Sequence, residues 1–252
     1  MYHNQHRYSG IPYPHTAHPS ATIKSSGCGV CSISMVVEGL TGTDFPPTAS
    51  APWSIEIGAR VSGGTDMYRL GREAARRFGL DFTTTSDVGV MLDALRGGAW
   101  AIANVGGDRN GYTGVFSSGG HYVVVRGLDA SRLIIWDPGY YIGKFDRAGR
   151  YGKVTVKGHD LYTLPAILDA DCSNRWPRYY LFKKEEETMT QKEFNAMLAV
   201  ALAEMAEKGA SAWATSSIDK MRDAGVTDGS RPQSFATRQE VIAMLERAQR
   251  CK

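Results

Sequence analysis

Cysteine is scarce in this chain. There are four among 252 residues, Cys28, Cys31, Cys172 and Cys251, too few and too scattered for a disulfide framework. A zinc site would need a second close pair, and Cys172 and Cys251 lie 79 residues apart, so no metal and no cofactor is expected. No apolar run approaches transmembrane length, which argues against a membrane partner. No basic run marks a nucleic-acid surface, and no internal repeat or low-complexity tract is visible. The segment from Met1 to Ser20 is rich in His, Tyr and Pro but has no apolar centre, so it does not read as a signal peptide. Its histidines, His3, His6, His15 and His18, read as surface or packing residues of an irregular segment rather than as ligands.

What is present is enough chain for one good-sized domain and a small one. The formal charge of +3 is unevenly placed: residues 1–183 carry 19 Lys and Arg against 15 Asp and Glu, and residues 184–252 carry 10 against 11. A mildly basic body suits an anionic surface or polymer. Lys183-Lys184-Glu185-Glu186-Glu187-Thr188 has no apolar residue and marks a boundary. The expected organisation is a domain over 1–183, a linker over 184–190 and a helical domain over 191–252.

In the first domain Ile33, Val36, Val37 and Leu40 recur at helical spacing, and Gly42 with Pro46-Pro47 ends that helix. Met67, Leu70, Ala74 and Phe78 predict a second helix with Thr65 as cap, and Met91, Leu92 and Leu95 a third. Strands are expected over 99–105, 122–126, 133–136, 153–157 and 178–182. Helices first and antiparallel strands second is an α+β order. After the boundary the period is purely helical. Thr190-x-x-Glu193 and Thr237-x-x-Glu240 read as capping boxes, and a middle helix carrying Trp213, Ile218 and Met221 stops at Gly225.

The chemistry-bearing run is Ser25-Ser26-Gly27-Cys28-Gly29-Val30-Cys31, just ahead of the first helix. A thiol at a helix start meets unpaired N–H groups and the positive end of the dipole, which favour thiolate. Gly27 and Gly29 are read as letting backbone approach a substrate, and the Cys28 N–H as an oxyanion donor. Downstream stand Gly119-Gly120-His121 and Trp136-Asp137-Pro138. If the two adjoining strands turn about Asp129, paired positions sum to 258. Val125 then faces Leu133, Val123 faces Ile135, and His121 stands directly opposite Asp137. Cys28, His121 and Asp137 are therefore the candidate nucleophile, base and orienter. Gly120 and Trp136 join Gly27 and Gly29 as candidate substrate-rim residues, and the glycine-rich loop 106–114 reads as a mobile rim. A competing reading takes Cys28 and Cys31 as a C-x-x-C redox pair, but it leaves His121 and Asp137 without a role.

Thr22-Ile23-Lys24-Ser25-Ser26-Gly27-Cys28-Gly29, Met35-Val36, Gly120-His121-Tyr122-Val123-Val124-Val125 and Trp136-Asp137-Pro138 resemble papain-like cysteine peptidases related to the bacteriocin-leader-processing family. The branch most like it is that of bacteriophage endolysins and bacterial cell-wall hydrolases. The resemblance spans about residues 8–182. It implies a papain-like fold with Cys28 as nucleophile, His121 as general base and Asp137 as orienter. Leader-processing members carry an oxyanion glutamine six residues before the cysteine, where this chain has Thr22, so Thr22, Ser26 and the Cys28 N–H stand as donor candidates.

The tail, with Trp213-Ala214, Gly225-Val226-Thr227-Asp228-Gly229 and Ala236-Thr237-Arg238-Gln239-Glu240, resembles a single S-layer-homology unit. That implies wall attachment, with Trp213, Asp228, Arg231 and Arg238 as candidate contacts, or a homo-oligomer that restores the usual copy number. Together these resemblances imply a peptidoglycan hydrolase made in the host cytoplasm and acting on an amide bond of the bacterial wall. The alternatives are a cysteine peptidase acting on a protein or leader peptide, and a catalytically inactive wall-binding protein.

Overall fold

The computed structural model describes residues 1–185 and 189–250, which divide into a unit over 1–185 and a unit over 186–252. The first unit begins with a 3-10 turn, Gln5–Tyr8, and a short helix α1, Ile23–Ser26. One residue later α2, Cys28–Thr41, starts; it ends on Gly42 at φ 73°, a left-handed cap that glycine adopts without strain. The prolines read as a stop in fact open a helix, α3, Pro47–Glu56. Pro47 occupies the first helical position, where the missing N–H has no helical acceptor to lose. A small ribbon, β1 Arg60–Val61 with β2 Gly64–Thr65, leads to α4, Met67–Phe78. The cap of α4 is Asp66, which accepts from Arg69 N–H at 3.1 Å, and not Thr65, which is held in the ribbon opposite Arg60.

The remaining elements are β3 Leu80–Thr85, α5 Val88–Arg96, β4 Trp100–Val105, β5 His121–Asp129, β6 Arg132–Trp136, β7 Thr155–Lys157, β8 Asp160–Thr163, α6 Pro165–Cys172 and β9 Tyr179–Lys184. Seven strands form one antiparallel sheet in the order β3-β9-β4-β5-β6-β8-β7, so the last strand of the unit is inserted between β3 and β4. The architecture is α+β. Strands β3 and β8 had no clear sequence signal: β3 reads Leu-Asp-Phe-Thr-Thr-Thr and buries little beyond Leu80, and β8 is four residues long. The β9 strand runs on to Lys184, opposite Leu80, one residue into the expected linker. Residues 186–188 of that linker lie outside the described residues.

The sheet is covered on both faces, as alternating strand side chains require. Ile102, Val124, Tyr180 and Phe182 pack with Val30, Ile33, Val36 and Val37 of α2 and with Leu70 and Ala74 of α4. Ala101, Ala103, Val123, Val125, Leu133, Ile135 and Tyr179 pack with Met91 and Leu95 of α5 and with Leu168 and Cys172 of α6.

The hairpin register corrects the sequence reading. The strands turn about Ala130 and Ser131, with Ala130 at φ 52°, and Asp129 pairs with Arg132. A bulge between Val125 and Gly127 then sets Val125 opposite Ile135 and Val124 opposite Trp136. Paired positions thus sum to 261 near the turn and to 260 beyond the bulge, not to 258. His121 is not directly opposite Asp137; Asp137 stands just beyond the end of β6, diagonal to it.

The second unit holds three helices, α7 Gln191–Glu207, α8 Ala212–Asp223 and α9 Arg238–Arg250. Both capping boxes form. Thr190 N–H and Thr237 N–H donate to Glu193 and Glu240, and Glu193 N–H and Glu240 N–H donate back to the threonine hydroxyls at 3.2 Å. Gly225, at φ 72°, follows α8. Among its described hydrophobic residues only Val226 is buried.

Candidate active site

The starts of a helix and a strand meet at the rim of the sheet. Cys28 is the first residue of α2 and His121 the first residue of β5. By strand alternation His121 shares the face of Val123, whereas α2 packs on the face of Val124. The thiol and the imidazole come together because each sits where its element begins, beyond the layer between them.

His121 Nε2 is 2.8 Å from Asp137 Oδ1. That leaves Nδ1 as the ring nitrogen available to the thiol. Asp137 is fully buried and every contact on its carboxylate is a donor: Gly139 N–H at 2.7 Å on Oδ1 beside the histidine, and Lys144 Nζ at 2.5 Å on Oδ2. Burial disfavours the Asp137 charge, but Lys144 and His121 outweigh it and hold the carboxyl far below its ordinary range. Burial also opposes charge on His121, yet Asp137 and Cys28 push it up to about 9. For Cys28, burial raises the thiol, and the side-chain interaction with His121, the imidazolium charge and the backbone N–H groups of Tyr122 and Gly29 bring it below its ordinary value. The two shifts both favour transfer of the thiol proton to the imidazole.

The loop that carries Asp137 is bound to the N-terminal segment. Tyr2 hydroxyl donates to Asp137 C=O at 2.6 Å, Gln5 N–H to Pro138 C=O at 2.8 Å, and Asn4 Nδ2 to Tyr140 C=O at 2.7 Å. Residues 1–20 are largely irregular, as read, with His6 and His18 at the surface, but the segment is packed: His3 is buried against Glu38, and Tyr13 is buried between Ser54 and Thr65. Lys144, Gly139 and Tyr2 were not legible as site residues, because no local pattern announces a partner reached through a loop. A Cβ on Gly139 would lie 3.0 Å from His121 Cε1, so glycine lets the loop press on the imidazole.

Other expected roles change. A Cβ on Gly29 would lie 2.6 Å from Thr65 Cβ, and one on Gly27 would lie 2.5 Å from Ile23 C=O. Both glycines are buried, so they serve close internal packing rather than a substrate rim. Trp136 is also structural: its indole N–H donates to Asp160 at 2.7 Å, its ring meets Trp100 edge-on, and Arg126 lies over it while pairing with Asp160. Gly120 is exposed next to His121, and a Cβ there would lie 2.5 Å from Arg175 Nη2. The loop 106–114 is fastened rather than loose: Asp108 accepts from Gly114 N–H, and the buried Asp171 accepts from Val115 and Phe116 N–H.

Of the oxyanion candidates, Thr22 caps α1, with its N–H on Ser25 Oγ at 3.0 Å, and Ser26, the last residue of α1, is half-buried two residues ahead of Cys28. The Cys28 N–H lies in the first turn of α2, where a helix supplies no acceptor. Cys31 is buried in the core and its thiol is pushed well up by burial, so Cys28 is the cysteine of the pair placed to react first. Cys172 is likewise a core thiol, and Cys251 lies outside the described residues.

In the second unit Asp228 and Arg231 line one cavity of about 390 Å³, while Trp213, 87% exposed, lines another of about 530 Å³. Asp228 accepts from Ser230, and Arg231 pairs with Glu240 at 3.0 Å. Arg238, at the start of α9, lines neither cavity.

No family model and no curated protein matches the sequence. Among solved structures the chain is similar to the peptidase domain of Streptococcus ComA, described as a bi-functional ABC transporter involved in a quorum sensing pathway. That similarity has 16% identity, covers 71% of this chain and 99% of that one, and has a TM-score of 0.43. A putative C39-like peptidase from Bacillus anthracis is similar at 11% identity, over 71% of this chain and 97% of that one, with a TM-score of 0.42.

Proposed function

We propose that the first unit is a cysteine hydrolase that cleaves amide bonds by acyl transfer. One observation carries this reading: a half-buried thiol at the first residue of a helix faces a histidine whose other nitrogen is fixed at 2.8 Å by a buried carboxylate. In the proposed reaction His121 holds the Cys28 proton, and the thiolate attacks the amide carbon. The carbonyl oxygen becomes an oxyanion beside the Cys28 N–H. As the tetrahedral intermediate collapses, His121 gives its proton to the leaving nitrogen, and the amine departs. His121 then takes a proton from water, whose oxygen attacks the thioester; the C–S bond breaks, the acyl group leaves as a carboxylic acid, and the proton on His121 restores the resting Cys28–His121 pair.

The substrate proposed is a peptide amide of peptidoglycan, with the second unit holding wall polymer or joining copies of the chain. Its support is the sequence resemblance and the basic body of the first unit. The chain would then act at the bacterial wall. The test is incubation of wild-type and Cys28→Ala protein with purified sacculi, with mass spectrometry of what is released. Fragments with new free amino groups and intact glycan, from the wild type alone, are expected. Cleavage of a peptide panel without any release from sacculi would move the substrate to proteins or leader peptides. Binding to sacculi without cleavage of either would leave a wall-binding protein.

A further inference from the structure

We propose that the cavity beside His121 seats a free carboxylate on the leaving-group side of the scissile bond. The inference rests on Cys28 and His121 acting as proposed above. His121 must reach the departing nitrogen to protonate it, so the leaving group passes along the imidazole. A cavity of about 250 Å³ lined by His121 and Gly139 adjoins that imidazole and is the space assigned to the leaving group.

The charge of this cavity is one-sided. Lys144, Arg147 and Arg150 line it, and no carboxylate does. Lys144 is neutralised by Asp137 behind the wall. Arg147 is exposed and has no ion pair among the described residues. Arg150 is 3% exposed and also lacks one; among the described residues its guanidinium donates one hydrogen bond, from Nη2 to Ser118 Oγ at 3.0 Å. The rest of its guanidinium is not sealed in the protein and is left to face the cavity, where it keeps donors free for an anion. A carboxylate accepts two parallel N–H bonds from such a group, which its planar fork favours.

A second polar group points to the same ligand class. Gln5 lines the cavity, its Nε2 donates to Lys24 C=O at 2.7 Å, and its buried Oε1 has no partner. That oxygen accepts only from a donor such as an amide N–H. Guanidinium donors and one amide acceptor in a space this size match a peptide unit with a carboxylate next to an N–H. The carboxylate is either an acidic side chain just after the cut or a C-terminus close to it.

The test begins with two alkylating agents, iodoacetate and iodoacetamide, which differ in a charge at nearly equal size. Their rates at Cys28 are followed by mass spectrometry in wild type, Arg147→Gln and Arg150→Gln. The iodoacetate to iodoacetamide rate ratio is expected to fall about tenfold in each variant, as loss of one charged contact to a carboxylate implies. Arg147 is exposed, so its variant reports even if Arg150→Gln fails to fold. Short peptides then compete with iodoacetamide for wild-type Cys28 in two pairs, Glu against Gln and a C-terminal acid against its amide. The acid member of one pair is expected to protect better, and that pair names the source. A ratio unchanged in Arg147→Gln, or equal protection or none from both members of both pairs, overturns the carboxylate seat. Failure of either reagent to select Cys28 over Cys31 and Cys172 overturns the nucleophile itself.

Discussion

Lys144 Nζ and His121 Nε2 grip opposite oxygens of one buried carboxylate, at 2.5 and 2.8 Å from Asp137. The base of the proposed reaction is therefore oriented by an ion that is itself anchored by a buried ammonium. Asp137 can stay charged without water because two cationic groups and the Gly139 N–H replace its hydration.

Lys144→Met should expose how much that anchor matters. Breaking one side of a buried pair costs about 3–5 kcal/mol, and urea denaturation should show a loss of that order. Asp137 has a depressed carboxyl, so its stabilisation is present above the ordinary carboxylate range and is lost as pH falls through the folded value. In Lys144→Met the loss on acidification should begin at a higher pH. Denaturation midpoints measured from neutral to acid pH check this, and an unchanged acid profile would count against the anchor.

Activity should follow a bell in pH. The acid limb should lie below the ordinary thiol value, because the paired thiolate of Cys28 must form. The alkaline limb should lie near 9, where His121 loses its proton. The stability sign agrees: a raised histidine stabilises the fold fully below its ordinary value of 6.5 and loses that contribution as pH rises through about 9. Asp137→Asn removes the charge that raises His121. The alkaline limb should move down and kcat should drop about a hundredfold or more, as a pH series of kcat and kcat/KM would show.

Alkylation at neutral pH should mark Cys28 and spare Cys31 and Cys172. Cys28 is half-buried with a lowered thiol, whereas the other two are core residues whose thiols burial raises. Peptide mapping after brief treatment with iodoacetamide reads this directly, and comparable labelling of Cys31 would contradict the assignment of its thiol to the core.

Gly29→Ala should destabilise the first unit by about 1–3 kcal/mol, the range for overpacking a tight contact. The new methyl would meet Thr65 at 2.6 Å. Thr65→Gly in the same chain should recover part of that loss, measured as the coupling in a double-mutant cycle. Strictly additive losses would mean the two residues do not share this contact.

The false register and the real site can now be reconciled. The sequence reading placed the turn at Asp129 and did not foresee the bulge after Val125. The two differences together moved the pairing by two positions rather than one. A shift of two preserves the face on which a strand side chain stands, so His121 and Asp137 still reach each other, diagonally instead of directly. Their partnership was legible for a reason weaker than the one first drawn from it.

What the sequence by itself determined is local. Apolar spacing and a terminal glycine define α2, so Cys28 falls at a helix start. Thr-x-x-Glu patterns define the caps of α7 and α9, because those bonds form within four residues. Only the tertiary structure decided that Gly27 and Gly29 serve packing, that Trp136 belongs to Asp160, and that Lys144 and Tyr2 hold Asp137 in place. Apart from Gly27, which packs on Ile23 four residues back, those contacts join residues brought together by loops and by the pairing of β6 with β8. Their geometry depends on where distant chain segments close, and neither periodicity nor a short motif encodes that.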